Sequence, residues 1–261
     1  MVTTFFGADS KVGCTMVTQV VAEELANTLP EAKVLVLHLD GTPGTYYVKE
    51  RIGSGIDSLK AAITTGVLNL DELISICGVD ENLYTLKGTT SKTERHIVYT
   101  TDMIDKLLKV VGKGFDYILI DAGSNIDSPL TVGSLISGLI DKKVLVNTQQ
   151  KVTFENFIVT DNQVLTPLNI DFDCMIINKF AFSAGKFLET EKTLSEKYAV
   201  SEEYTFTIPM SEYGWQAEYE SVSLRSYRDK SYLKSVEHIV NKIYNPIPTE
   251  EKKSFLGLFG K

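Results

Sequence analysis

Apolar residues recur along this chain in two rhythms, short unbroken runs and runs spaced every three or four positions. The short runs predict buried strands at 2–6 (Val2-Thr3-Thr4-Phe5-Phe6), 33–40, 82–86, 115–121, 143–147, 172–178 and 204–209. Lys33-Val34-Leu35-Val36-Leu37-His38-Leu39-Asp40 is apolar on both faces, as a central parallel strand must be. Helical spacing predicts helices over 17–26, 58–65, 94–111, about 151–166, about 214–221 and 229–244. Asp57 or Ser58 would cap the helix over 58–65, and Asn69 or Asp71 a further one. Strand and helix alternate nearly throughout, which predicts an α/β fold with a doubly wound, mostly parallel sheet and helices on both faces.

Length and composition narrow this further. The 261 residues are 43% hydrophobic, enough for one large α/β domain over residues 1–244, followed by a linker and short tail over 245–261. The net charge of −8, with no lysine- or arginine-rich run, shows no nucleic-acid footprint, and no nucleic-acid partner is expected. Cys14, Cys77 and Cys174 lie far apart without metal-ligand spacing, which fits reduced thiols in a cytoplasmic protein. Neither a signal peptide nor a bilayer-length apolar stretch is present, so the protein is not expected to be integral to a membrane.

The candidate chemistry begins where the first strand ends. Gly7-Ala8-Asp9-Ser10-Lys11-Val12-Gly13-Cys14-Thr15-Met16 lies between a strand and a helix, the setting of a phosphate-binding loop. Such a loop presents backbone N–H groups and a helix N-terminus to an anion. Against G-x-x-x-x-G-K-[ST], Ala8 stands in place of the first glycine, Gly13 and Thr15 are kept, and Cys14 occupies the lysine position. Phe115-Asp116-Tyr117-Ile118-Leu119-Ile120-Asp121 is a second signal, an apolar strand ending in a carboxylate suited to holding Mg²⁺ through its water shell. Asp40 ends another strand before Gly41-Thr42-Pro43-Gly44. Either aspartate could instead serve as a strand-end turn residue; their order behind the loop favours a site.

Together these elements resemble the ParA/MinD family of P-loop ATPases with a deviant Walker A loop, K-G-G-x-G-K-[ST], over roughly residues 1–244. The nearest branch is the CpaE/TadZ-like group of pilus-assembly localisation factors, in which the Walker lysine is often replaced. The family's signature lysine falls at Asp9 and its following glycines at Ser10 and Lys11, so both family lysines are absent and Lys11 lies between their places. The resemblance implies that residues 7–16 bind ATP, that Thr15, Asp40 and Asp121 hold Mg²⁺ partly through water, and that Asp40 positions the attacking water in an active enzyme. It further implies that the Gly123 amide approaches the γ-phosphate, that Asn178 reads the adenine edge, and that Pro209 lines the base pocket. Asn178 as a capping residue is the competing reading. Relatives of this type often carry a receiver-like domain ahead of the ATPase domain; the sequence starts at the first strand, so that domain is expected to be missing.

Cys14 cannot replace a Walker lysine, because a neutral thiol is a weak donor and a thiolate would repel phosphate. Asp9 would likewise repel a γ-phosphate. Loss of these donors harms hydrolysis more than binding, since groups aimed at developing charge count most in the transition state. The expectation is a homodimeric spatial organiser or scaffold with weak ATP binding, localising a membrane-associated assembly such as a pilus or secretion machine. An ATPase using Lys11 and a nucleotide-free structural protein are the alternatives. Asn245-Pro246-Ile247-Pro248 breaks the last helix, and Phe255, Leu256, Leu258 and Phe259 then form an apolar cluster bracketed by Lys252, Lys253 and Lys261. This tail resembles the short membrane-targeting helix of MinD. It would bind an anionic membrane marginally as one copy and appreciably as two, placing the protein at the inner face of the cell membrane. Docking on the chain's own body or on a protein partner is the alternative.

Overall fold

The computed structural model describes residues 1–42, 55–89, 99–182 and 188–245. Its strands are β1 (Val2–Gly7), β2 (Val34–His38), β3 (Gly78–Asp80), β4 (Leu83–Leu86), β5 (Tyr117–Asp121), β6 (Lys142–Asn147), β7 (Cys174–Phe180) and β8 (Thr205–Pro209). They form one sheet in the order β3-β4-β2-β5-β1-β6-β7-β8. Every pairing is parallel except the edge pair β3–β4. The α-helices are α1 (Cys14–Thr28), α2 (Lys60–Thr65), α3 (Leu70–Ile76), α4 (Thr101–Val111), α5 (Pro129–Ile136), α6 (Lys151–Thr160), α7 (Glu191–Lys197), α8 (Gly214–Glu220) and α9 (Lys230–Tyr244).

Alternation along each strand divides the core between the two faces. Val34, Val36, Phe5, Leu119, Val144 and Ile176 pack with α1, α8 and α9, while Leu35, Leu37, Ile118 and Ile120 pack with α2 to α5. Phe6, Leu145, Met175 and Ile177 continue that second face under α6 and α7. Each fully buried side chain of this size is worth about 1.5–3 kcal/mol, so the central strands anchor the loops that follow them. The doubly wound fold is the one the hydrophobic runs predict.

Several boundaries differ from the expected ones, each for a local reason. α1 begins at Cys14 rather than at 17, because the turn at Gly13 opens the helix directly. α4 begins at Thr101, where the Thr100 hydroxyl accepts the Met103 amide; of the helix expected over 94–111, residues 94–98 lie outside the described residues. Asp57 and Ser58 lie inside a 3-10 turn (Ile56–Leu59) without capping it, and the Asp57 carboxylate instead accepts the Tyr99 hydroxyl at 2.7 Å and the Thr89 hydroxyl at 3.1 Å. Asn69, not Asp71, caps α3 by accepting the Glu72 amide at 2.9 Å. The tail over 246–261 lies outside the described residues.

Candidate functional site

β1 lies between β5 and β6, so the chain leaving β1 emerges at the point where the strand order reverses. The loop after it is hung from both neighbours: the Gly7 amide donates to the Gly123 carbonyl at 2.7 Å and the Ala8 amide to the Val146 carbonyl at 2.8 Å. Left-handed backbone at Lys11 (φ 64°) and Gly13 (φ 90°) bends the chain into the start of α1. No side chain caps that helix, which leaves its first-turn N–H groups for an anion. Val12 and Met16 turn their side chains into the core beside α1, so they would meet a ligand through their backbone alone.

Gly13 has little freedom. A Cβ built there would lie 2.5 Å from the Asn178 Nδ2, whereas Gly66, also left-handed (φ 76°), has nothing within 4 Å. Gly13→Ala is therefore expected to destabilise the fold by about 1–3 kcal/mol through strain and clash, and Gly66→Ala by strain alone. Thermal melts of the two variants check this, and equal losses would contradict it.

The residues at the expected lysine positions, Asp9 and Cys14, are turned onto the protein. Asp9 is half-buried and accepts the Ser10 amide at 2.7 Å and the Asn156 Nδ2 of α6 at 2.8 Å. Cys14 is buried at the first turn of α1, and burial followed by the neighbouring Asp121 charge pushes its thiol well up. It is thus a neutral S–H at physiological pH. Ser10 and Lys11 are exposed on the rim of the loop.

Behind Cys14 and Thr15 lies a carboxylate pair. Asp121 is fully buried at the end of β5 and faces His38, its register partner on β2, with His38 Nδ1 3.2 Å from Asp121 Oδ2. The Gly123 amide donates to Asp121 Oδ1 at 3.2 Å. Burial alone would raise the Asp121 pKa; hydrogen bonds from His38, Thr15 and Gly123, with the His38 charge, outweigh it and hold the carboxyl below its ordinary value. Asp40 is more open. Burial and then the Asp121 charge push its pKa up, although the Thr42 amide and hydroxyl donate to it at 2.9 and 2.6 Å. Gly123 (φ 61°) backs against it, since a Cβ there would lie 2.6 Å from the Asp40 Cβ.

Asp40 and Asp121 act on one another and on Cys14, next to Thr15 in the first turn of α1. The oxygens of Thr15, Asp40 and Asp121 fit Mg²⁺, a hard cation usually held by one or two carboxylates plus substrate phosphate. Burial, and after it the Asp121 charge, raises the Asp40 pKa, and the second of these is a charge imbalance that a divalent cation would relieve. Asn178 lies against the loop, donating its Nδ2 to the Val12 carbonyl at 2.8 Å. Pro209 ends β8 at the sheet margin, paired with Phe180. The contacts of Asp9 with Asn156, of His38 with Asp121 and of Lys179 with the loop were not foreseen, because each joins residues far apart in the chain.

This architecture occurs in solved structures. A ParA family ATPase from Chlorobium tepidum superposes with a TM-score of 0.72 at 17% identity, over 92% of this chain and 96% of the other. The septum site-determining protein MinD of Pyrococcus horikoshii, complexed with Mg-ADP, gives 0.68 at 15% identity over 93% and 95%. A plasmid partition protein of Borrelia burgdorferi bound to AMPPNP gives 0.68 at 21% identity over 94% and 99%. The chain has the ParA/MinD ATPase fold. No protein-family model and no curated protein sequence matches it.

Proposed function

We propose that this chain is a ParA/MinD-like positioning protein with a degenerate nucleotide site, which binds Mg-ATP weakly and hydrolyses it very slowly. The observation that carries this reading is Cys14, a buried neutral thiol where a phosphate-contacting lysine belongs, beside an intact Thr15, Asp40 and Asp121 set. The loop amides, the α1 N-terminus and the metal donors supply binding; the cation that would offset charge in the transition state is missing. Thr15, Asp40 and Asp121 would hold Mg²⁺, which would supply positive charge to offset that of the phosphates. The nucleotides in the Pyrococcus and Borrelia structures support ATP as the ligand class. Asn178 keeps its carbonyl oxygen for an adenine amine while its Nδ2 holds the loop, and Gly123 and Pro209 would line the γ-phosphate and base ends.

In this reading the protein works as a homodimer of CpaE/TadZ type that marks the place of a pilus, secretion machine or similar membrane-associated assembly. Phe255, Leu256, Leu258 and Phe259 would enter the membrane interface, with Lys252, Lys253 and Lys261 over anionic head groups at about 1 kcal/mol each. Turnover and cosedimentation with anionic vesicles test both halves. Near-background ATP hydrolysis is expected with or without vesicles, and pelleting is expected to fall when the chain is cut after Thr249. Robust turnover abolished by Lys11→Ala would replace this reading with that of a working ATPase. Equal pelleting of the whole and shortened chains would make the tail a protein-docking segment.

A further inference from the structure

Next to Asn178, at the end of β7, Lys179 makes a contact that the degenerate-site reading leaves unexplained. Its Nζ donates to the Lys11 carbonyl at 2.8 Å, while Asn178 Nδ2 donates to the next carbonyl, Val12, also at 2.8 Å. The β7–β8 register slips here, from Ile177 opposite Thr207 to Phe180 opposite Pro209, and Lys179 takes a left-handed φ of 54°. Bulges of this kind re-aim a side chain, and such a backbone persists in a non-glycine residue only where its surroundings hold it. Lys179 is exposed, so core packing does not demand that conformation. The side chain runs over Gly13, with its Cε 3.9 Å from where a Cβ on Gly13 would lie.

We propose that Asn178 and Lys179 form a two-point clamp on the outer side of the phosphate loop, with Lys179 as a positioning residue that sets the loop's N–H groups for phosphate. The inference rests on the nucleotide reading above. In a loop that cradles an anion the amides face the anion and the carbonyls face away. A lysine bound to the Lys11 carbonyl is therefore on the far side from the phosphates, and it is not a displaced Walker lysine. Without a lysine at 9 or 14, phosphate binding depends on backbone donors, and donors held in place in advance bind better than donors that must be ordered. The clamp fixes two successive peptide units, Lys11–Val12 and Val12–Gly13, at the centre of the loop. Gly13 is required there because any Cβ would meet Asn178.

The test uses the full chain and two ligands that share phosphates but differ in the nucleoside, ADP and inorganic pyrophosphate, each competed against a fluorescent ADP analogue. Lys179→Met keeps the aliphatic stem and removes the ammonium. It should weaken both ligands by the same factor, about tenfold, the scale of one charge-assisted hydrogen bond. Lys179→Arg should restore most of the loss, and circular dichroism of the methionine variant should match the unsubstituted chain. Weakening of ADP alone would make Lys179 a nucleoside contact, and unchanged affinity for both would make its bond to the loop incidental; either overturns the clamp. Failure of the unsubstituted chain to bind either ligand would instead overturn the nucleotide reading.

Discussion

Asp121→Ala is expected to remove the contribution of Mg²⁺ to ATP binding, weakening Mg-ATP by at least about tenfold without weakening metal-free ATP. Asp121 is the fully buried member of the carboxylate pair, and His38 and Gly123 both aim donors at it. Its loss would also lower the Asp40 pKa, since the Asp121 charge helps to push that carboxyl up. Alanine leaves the buried His38 Nδ1 without its acceptor, at a cost of about 1–3 kcal/mol, and frees the half-buried Gly123 amide as well. Asp121→Asn is the companion variant, because it keeps an acceptor and removes the charge. Calorimetric titrations with and without Mg²⁺ decide the matter. Identical curves for the unsubstituted and substituted chains would remove Asp121 from the metal site.

Cys14→Lys should act in the opposite direction. The thiol lies close enough to Asp121 and Asp40 for both charges to raise its pKa, so an ammonium there would enter an already negative pocket. Added to a loop whose amides and helix N-terminus are in place, it should tighten ATP by about 1.5–3 kcal/mol, or roughly tenfold to 150-fold. The same titration measures it. An unchanged affinity would mean that the lysine cannot reach the phosphates from this loop, and that the missing residue is not what limits binding.

The fold was legible because its central strands are continuous apolar runs, buried on both faces. Elements lacking such a signal went unseen. α5 (Pro129–Ile136) is rich in small and hydroxyl residues and packs in the core without a polar face to set its period. β3 is three residues at an edge, defined by its antiparallel pairing with β4 rather than by its own composition. α7 is a short helix whose sign is local, the Thr190 side chain accepting the Thr193 amide. The phosphate loop and the strand-end aspartates could be read because their residues are consecutive or end an apolar run. The clamp from Lys179 could not, since it depends on the bulge in the β7–β8 pairing and joins two residues 168 positions apart in the chain. Likewise Asp9 reads as a charge facing phosphate until α6 brings Asn156 against it.

The central claim is a site that keeps its binding donors and lacks its catalytic cation. Titration of the full chain with Mg-ATP, with phosphate release followed in the same sample, tests it most directly. The account predicts saturable but weak binding with release close to background. Absence of binding at millimolar ATP, or sustained release abolished by Lys11→Ala, would contradict it.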